Sequence, residues 1–183
     1  MGRKICAVNL KIIFISTLVG GVISSLVKSG IEVNMPPRVF GEVSPPAANI
    51  DAWLGFLGVS SHSLDYSYQG FVIPGAVMIY HWAFSFFFAF IYILLSVWFP
   101  KVRVWYGASY GLIVTVIMHG ILIPVLGFRK PIYLNGSIGW LWNLNSYELW
   151  SEIIGHVFWS MSIEVSLVAI LALYLKPPRG YWA

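Results

Sequence analysis

With 183 residues, 58% of them apolar and only 10% charged, and a mean hydropathy of +0.79, the chain is far too poor in charge for a soluble domain, where about 25% is usual. A net charge of +4 and a pI near 9.2 suggest nucleic acid at first sight. The Lys and Arg residues flank apolar runs, however, as loop cations do in membrane proteins, so no nucleic-acid partner is expected. One cysteine, Cys6, excludes both a disulfide framework and a thiolate metal cage within the chain.

The N-terminal MGRKICAVNLKIIF has a basic start and an apolar run without a convincing cleavage site, and reads as a retained signal anchor. It leads into a first span over about 11–28, interrupted by Gly20, Gly21, Ser24 and Ser25. Small residues on one helix side suit close helix packing. Residues 29–75, with Pro36-Pro37, Pro45-Pro46, Asp51 and Asp65, are too polar to span and form a long first outer loop. Its WLGFL run (Trp53–Leu57) is apolar enough to lie at the bilayer surface or cap the bundle.

The second span covers about 76–99, the short turn PKVR follows, and the third span covers about 105–126, opening with Gly107 and Gly111 at GxxxG spacing and holding His119. A second outer loop over 127–151 brings Trp140, Trp142 and Trp150 as interfacial anchors. The fourth span, about 152–175, is the most informative stretch: SEIIGHVFWSMSIE places Glu152, His156, Ser160 and Glu164 at steps of four, so they drift slowly along one helix side. Ionisable groups at membrane depth are costly and face a partner, a bundle interior or water. The expected architecture is therefore all-α: a single membrane domain over 1–183, a four-transmembrane-helix bundle in contact with the lipid bilayer.

Cations sort the ends. Arg3, Lys4, Lys11, Lys101, Arg103, Lys176 and Arg179 mark both termini and the short turn as cytoplasmic, while the acidic residues gather in the two longer connections. With that orientation His81, His119 and His156 fall at one depth in the outer half of the bilayer, Lys28 ends span one at the same level, and Glu164 lies deeper.

Five stretches carry a resemblance: VKSGIEVNMPPR (Val27–Arg38), YHWAFS (Tyr80–Ser85), FPKVRVWYG (Phe99–Gly107), HGILIP (His119–Pro124) and YELWSEIIGHVFWSMSIE (Tyr147–Glu164). In the same order along most of the chain, they resemble the YagU-like inner-membrane proteins of enteric bacteria. That resemblance implies a small multi-pass bacterial inner-membrane protein linked to survival in acid, and it brings Lys28, Glu32, Arg38, His81, His119, Glu152, His156 and Glu164 forward as shared polar positions. It implies no catalytic residue list.

Three readings of these residues stand side by side. Imidazoles open to an acidifying compartment gain charge near pH 6.5, so the first is a proton-responsive or proton-linked protein in which His81, His119 and His156 exchange protons and Glu164 anchors or relays them. The second is a haem or transition-metal site with the three histidines as candidate ligands and a carboxylate beside them; no cofactor is required by the sequence. The third is a scaffold or assembly subunit whose polar groups are interhelical hydrogen bonds, with Lys28, Glu32 and Arg38 as interfacial anchors. Homo-oligomerisation through Gly20/Ser24 or Gly107/Gly111 is possible, although such faces serve contacts within a chain equally well. Nothing resembles a nucleophile elbow or a phosphate loop, and no enzyme is expected.

Overall fold

The computed structural model describes residues 10–36, 45–122 and 146–174. Its elements are α1 (Leu10–Asn34), α2 (Pro45–Phe56), a 3-10 turn (Ser61–Leu64), a hairpin of β1 (Tyr66–Tyr68) and β2 (Phe71–Ile73), α3 (Gly75–Trp98), a kinked segment (Pro100–Gly107), α4 (Ala108–Ile117) running into a π turn (Met118–Leu122), and α5 (Ser146–Tyr174). Among the described residues, α1, α3 and α5 are long and apolar enough to cross a membrane.

The first helix turns its small and polar residues inward. The buried face of α1 is Ile12, Ser16, Gly20, Gly21, Ser24, Ser25 and Lys28, while Leu10, Phe14, Leu18 and Leu26 point outward. Small residues let backbones approach where lipid leaves no hydrophobic force between helices, and the large side chains face the tails. The Gly20 position looks onto Ile163 and Ser166 of α5, and a Cβ on Gly111 of α4 would lie 2.4 Å from the His156 carbonyl and the Ser160 hydroxyl, also on α5. Both small-residue faces are thus used within the chain and give no argument for a second copy.

The central helix is α5, with α1 packed on one side and α4 on the other; α3 lies against α1. Trp159 is the pivot of the core: it is fully buried, donates its indole N–H to Ser85 Oγ at 3.1 Å, and meets the rings of Phe84, Phe88 and Tyr110 at 5.7, 6.3 and 6.2 Å.

Three expectations need correction. The first helix continues past 28 to Asn34, because Lys28 and Glu32 pair at i,i+4 and proline first appears at Pro36. The fourth helix starts at Ser146 rather than 152, so Glu148 sits in its first turn. The third helix starts at Ala108, not 105, because Trp105, Tyr106 and Gly107 are left-handed; its expected end at 126 lies outside the described residues. Span two, expected over 76–99, is matched by α3.

The described part of the first connection, from 45 on, holds regular elements. α2 packs on α3, with Trp53 edge-on to Tyr80 at 5.6 Å, and Gln69-Gly70, both at positive φ, close the antiparallel pair Tyr66–Ile73 and Tyr68–Phe71 as a two-residue hairpin turn requires.

Candidate functional site

At the end of the bundle away from the 100–107 turn, four helical segments contribute ionisable side chains to one buried group. α5 supplies Glu152 and His156, 4% and 2% exposed. The π turn after α4 supplies His119, whose Nε2 lies 3.1 Å from Glu152 Oε2. α1 supplies Lys28, its ammonium 3.9 Å from that same oxygen and 2.9 Å from Glu32 Oε1. α3 supplies His81, whose Nδ1 stands 3.7 Å from Glu32 Oε2. His156 Nδ1 donates to the Glu152 carbonyl at 2.8 Å, one turn back, and lies 3.7 Å from its carboxylate. The rings of His119 and His156 meet edge to face at 5.4 Å.

Helix spacing explains why these groups converge. Glu152 and His156 share a face at i,i+4, and so do Lys28 and Glu32; α1 and α5 bring the two faces together beside Gly155, where even an added Cβ would stand at an ordinary 3.6 Å from Lys28 Nζ. A π turn advances less per residue than an α-helix and is often found at functional positions; here it carries His119 onto Glu152. His119 Nδ1 and His81 Nε2 are buried without a hydrogen-bond partner among the described residues.

Among the described residues, two carboxylates, Glu32 and Glu152, share one ammonium, Lys28, and three imidazoles stand beside them. A buried carboxylate such as Glu152 favours positive charge next to it, and His119 and His156 are the side chains beside it that can take up a proton.

His119, Glu152 and His156 each offer a ligand atom, all within 4.8 Å of one another. A haem does not fit between His119 and His156, because rings already in edge-to-face contact leave no gap for a macrocycle.

Glu164 is elsewhere. Eight residues beyond His156, it is displaced by about 12 Å along the axis, and it forms a second buried group. Arg103 grips it in a fork, with Nε at 2.8 and 3.1 Å from the two oxygens and a terminal nitrogen at 2.6 Å, while the Tyr92 hydroxyl donates to it at 2.8 Å. Glu164, expected to anchor or relay protons for the imidazoles, is placed with Arg103 and Tyr92 and not against the three rings. From the sequence Arg103 reads only as a marker of topology. The signal that finds it is Glu164 itself, since a carboxylate in a spanning helix demands a cationic partner at its own depth. Arg38 lies outside the described residues.

The comparisons bear on most of the chain. The family described as "Protein of unknown function (DUF1440)" matches residues 22–165. The chain belongs to the DUF1440 family. It is also 30% identical over 172 residues, covering 81% of this chain and 78% of the relative, to "Inner membrane protein YagU" of Escherichia coli (strain K12). No solved structure matches. As a DUF1440 protein it is a membrane protein of the YagU-like kind, and its apolar helices contact the bilayer. The matched range contains every member of both buried groups, from Lys28 to Glu164.

Outside the bundle, His62 Nδ1 and Asp65 Oδ2 pair at 2.8 Å beside the hairpin. That hydrogen bond, and next the carboxylate's charge, raise the imidazole above its ordinary 6.5. A raised folded value gives a contribution that is complete below 6.5 and lost as pH climbs through the folded value. An NMR titration should place the His62 midpoint above 6.5, and Asp65→Asn should bring it back down.

Proposed function

We propose that this chain is a multi-pass inner-membrane protein of four crossings with both termini in the cytoplasm, and that it contributes to acid resistance by taking up protons from the outer side through the Lys28/Glu32/His81/His119/Glu152/His156 group. The observation that carries the reading is Glu152: a buried carboxylate 3.1 Å from one imidazole and 3.7 Å from another. A carboxylate held in low dielectric stabilises positive charge on the rings beside it, and imidazole is the side chain that takes up a proton within the physiological range. The inner-membrane placement is supported by the relative in Escherichia coli, and the cytoplasmic termini by the cations at Lys11, Lys101 and Arg103.

The test is proton uptake. Purified protein in nanodiscs, acidified from pH 7.5 to 5 in weak buffer, should bind about one proton per chain beyond empty discs and beyond the surface groups measured in a His119→Gln, His156→Gln double variant. The same double variant should fail to restore acid survival to a strain lacking the protein while accumulating in the membrane at normal levels. Equal uptake by wild type and double variant defeats the proposal.

The metal reading rests on one observation, the 4.8 Å convergence of His119, Glu152 and His156. Elemental analysis and an absorbance spectrum of protein purified without chelator decide it: a stoichiometric transition metal supports that reading over the proton one, and a colourless, metal-free preparation that still takes up protons removes it.

A further inference from the structure

Trp105, Tyr106 and Gly107 follow one another in the left-handed region, at φ 54°, 54° and 87°. Only glycine adopts that conformation freely; a side chain with a Cβ crowds its own carbonyl there. Two bulky aromatics in succession are strained, and their own packing does not hold them, since Trp105 and Tyr106 are 69% and 76% exposed. The restraint comes from either side of the turn. Ahead of it, Arg103 is forked onto Glu164, which also accepts from Tyr92. Behind it, Ser109 Oγ donates to the carbonyls of Val102 and Val104 at 3.2 and 3.1 Å, and Gly107 fits against Tyr92, Glu164 and Ser160 with no room for a Cβ.

The same turn sets the lie of α4, which runs from it along α5 and delivers His119 to Glu152 at the far end. Over the residues from Gly107 to His119 a helix is about 18 Å long, so a small rotation at the turn displaces the imidazole by more than a hydrogen bond tolerates. α5 carries both contacts, Glu164 near the turn and Glu152 beyond it.

We propose that the left-handed turn 105–107 is a strained hinge held shut by the Arg103–Glu164 fork, and that this catch regulates the outer group by deciding whether α4 holds His119 against Glu152. The regulatory half rests on the reading of that group as the proton-binding site; the mechanical half does not. Among the described residues, Glu152 and His156 on α5 face His119 directly, Lys28 and Glu32 on α1 and His81 on α3 stand behind Glu152, and Glu148 lies one turn before Glu152 on α5. Arg103 and Glu164 contact none of them, and Glu164 is displaced by about 12 Å along α5 from His156, so helix position is the main route by which a change at the fork reaches His119.

The experiment measures α4 against α5 directly. With Cys6→Ser as background, spin labels at Ile113→Cys and Phe158→Cys, both half-exposed on the outer faces of α4 and α5, should give one narrow distance in nanodiscs. Glu164→Gln should add a second, longer population and reduce proton uptake toward that of a His119→Gln variant. Arg103→Gln breaks the catch from the other side and should do the same. Adding Trp105→Gly and Tyr106→Gly to Glu164→Gln should restore the single short distance, because glycine removes the strain that drives opening; a merely structural pair would instead be loosened further. In the intact protein the two glycines should leave the melting midpoint unchanged or higher. A single unchanged distance in Glu164→Gln and Arg103→Gln, a broader one after the glycine pair, or a lowered midpoint for the glycine pair alone overturns the hinge. Distances that behave as expected in a protein that takes up no proton overturn the proton reading and leave the hinge standing.

Discussion

Replacing Lys28 with methionine is expected to cost about 3–5 kcal/mol at neutral pH, the price of removing one partner from a buried ion pair, whereas Glu152→Gln, on the adjoining helix α5 in the same group, is expected to cost less than about 2 kcal/mol. The asymmetry follows from the charge count. Among the described residues Lys28 is the one ammonium that Glu32 and Glu152 share, at 2.9 and 3.9 Å, and removing it leaves the buried Glu152 and the half-buried Glu32 without that cation. Glu152→Gln does the reverse: Lys28 and Glu32 remain as a balanced pair, and the amide can still bond to His119. Acid should therefore rescue the first variant, since protons supply the charge that Lys28 gave. It should do little for the second, which has lost the reason to bind a proton. Denaturation midpoints in mixed micelles at pH 7.5 and 5.5, read beside proton uptake, test both statements. A Lys28→Met protein as stable as wild type at pH 7.5, or a Glu152→Gln protein with normal uptake, contradicts this account of the group.

Much of that group was legible in the sequence because it depends on local periodicity. Steps of four in α5 put Glu152 and His156 on one face, and the cation pattern placed Lys28, His81 and His119 near the same level. What failed did so for tertiary reasons. Glu164 continues the same periodic series, but a helix stripe two turns longer enters a different layer, and its partner is fixed by how the 100–107 segment folds back. The extension of α1 through Ser29 and Gly30 was hidden because apolar content falls there although the helix does not; the Lys28–Glu32 pair carries it on. The left-handed run at 105–107 leaves no compositional trace, since Trp and Tyr are poor residues for it and only Gly107 signals a turn. The hairpin is hard to see from the sequence for a different reason: YSY and FVI around Gln69-Gly70 do carry a turn signal, but all six strand residues are exposed, so no buried face distinguishes them from loop.

A substitution far from any charge should show how strongly the group depends on helix fit. Gly111→Ala is expected to abolish proton uptake and to lower stability by about 1–3 kcal/mol, the usual cost of overpacking a tight interface. The added methyl would stand 2.4 Å from the His156 carbonyl oxygen and 2.8 Å from its carbon. Both atoms belong to the backbone of α5 and cannot swing aside as a side chain would, so α4 must lift away. His119 lies two turns further along that same line and reaches Glu152 with only 3.1 Å between them; a lift of about 1 Å takes the pair beyond hydrogen-bonding distance. Gly30→Ala is the matched control. It sits on α1 beside Lys28 with nothing within 4 Å of the new atom, and should keep full uptake while gaining up to about 1 kcal/mol from better helix propensity. Uptake preserved in Gly111→Ala would mean that His119 holds its place without α4 seated on α5, and the dependence of the outer group on helix packing would be lost.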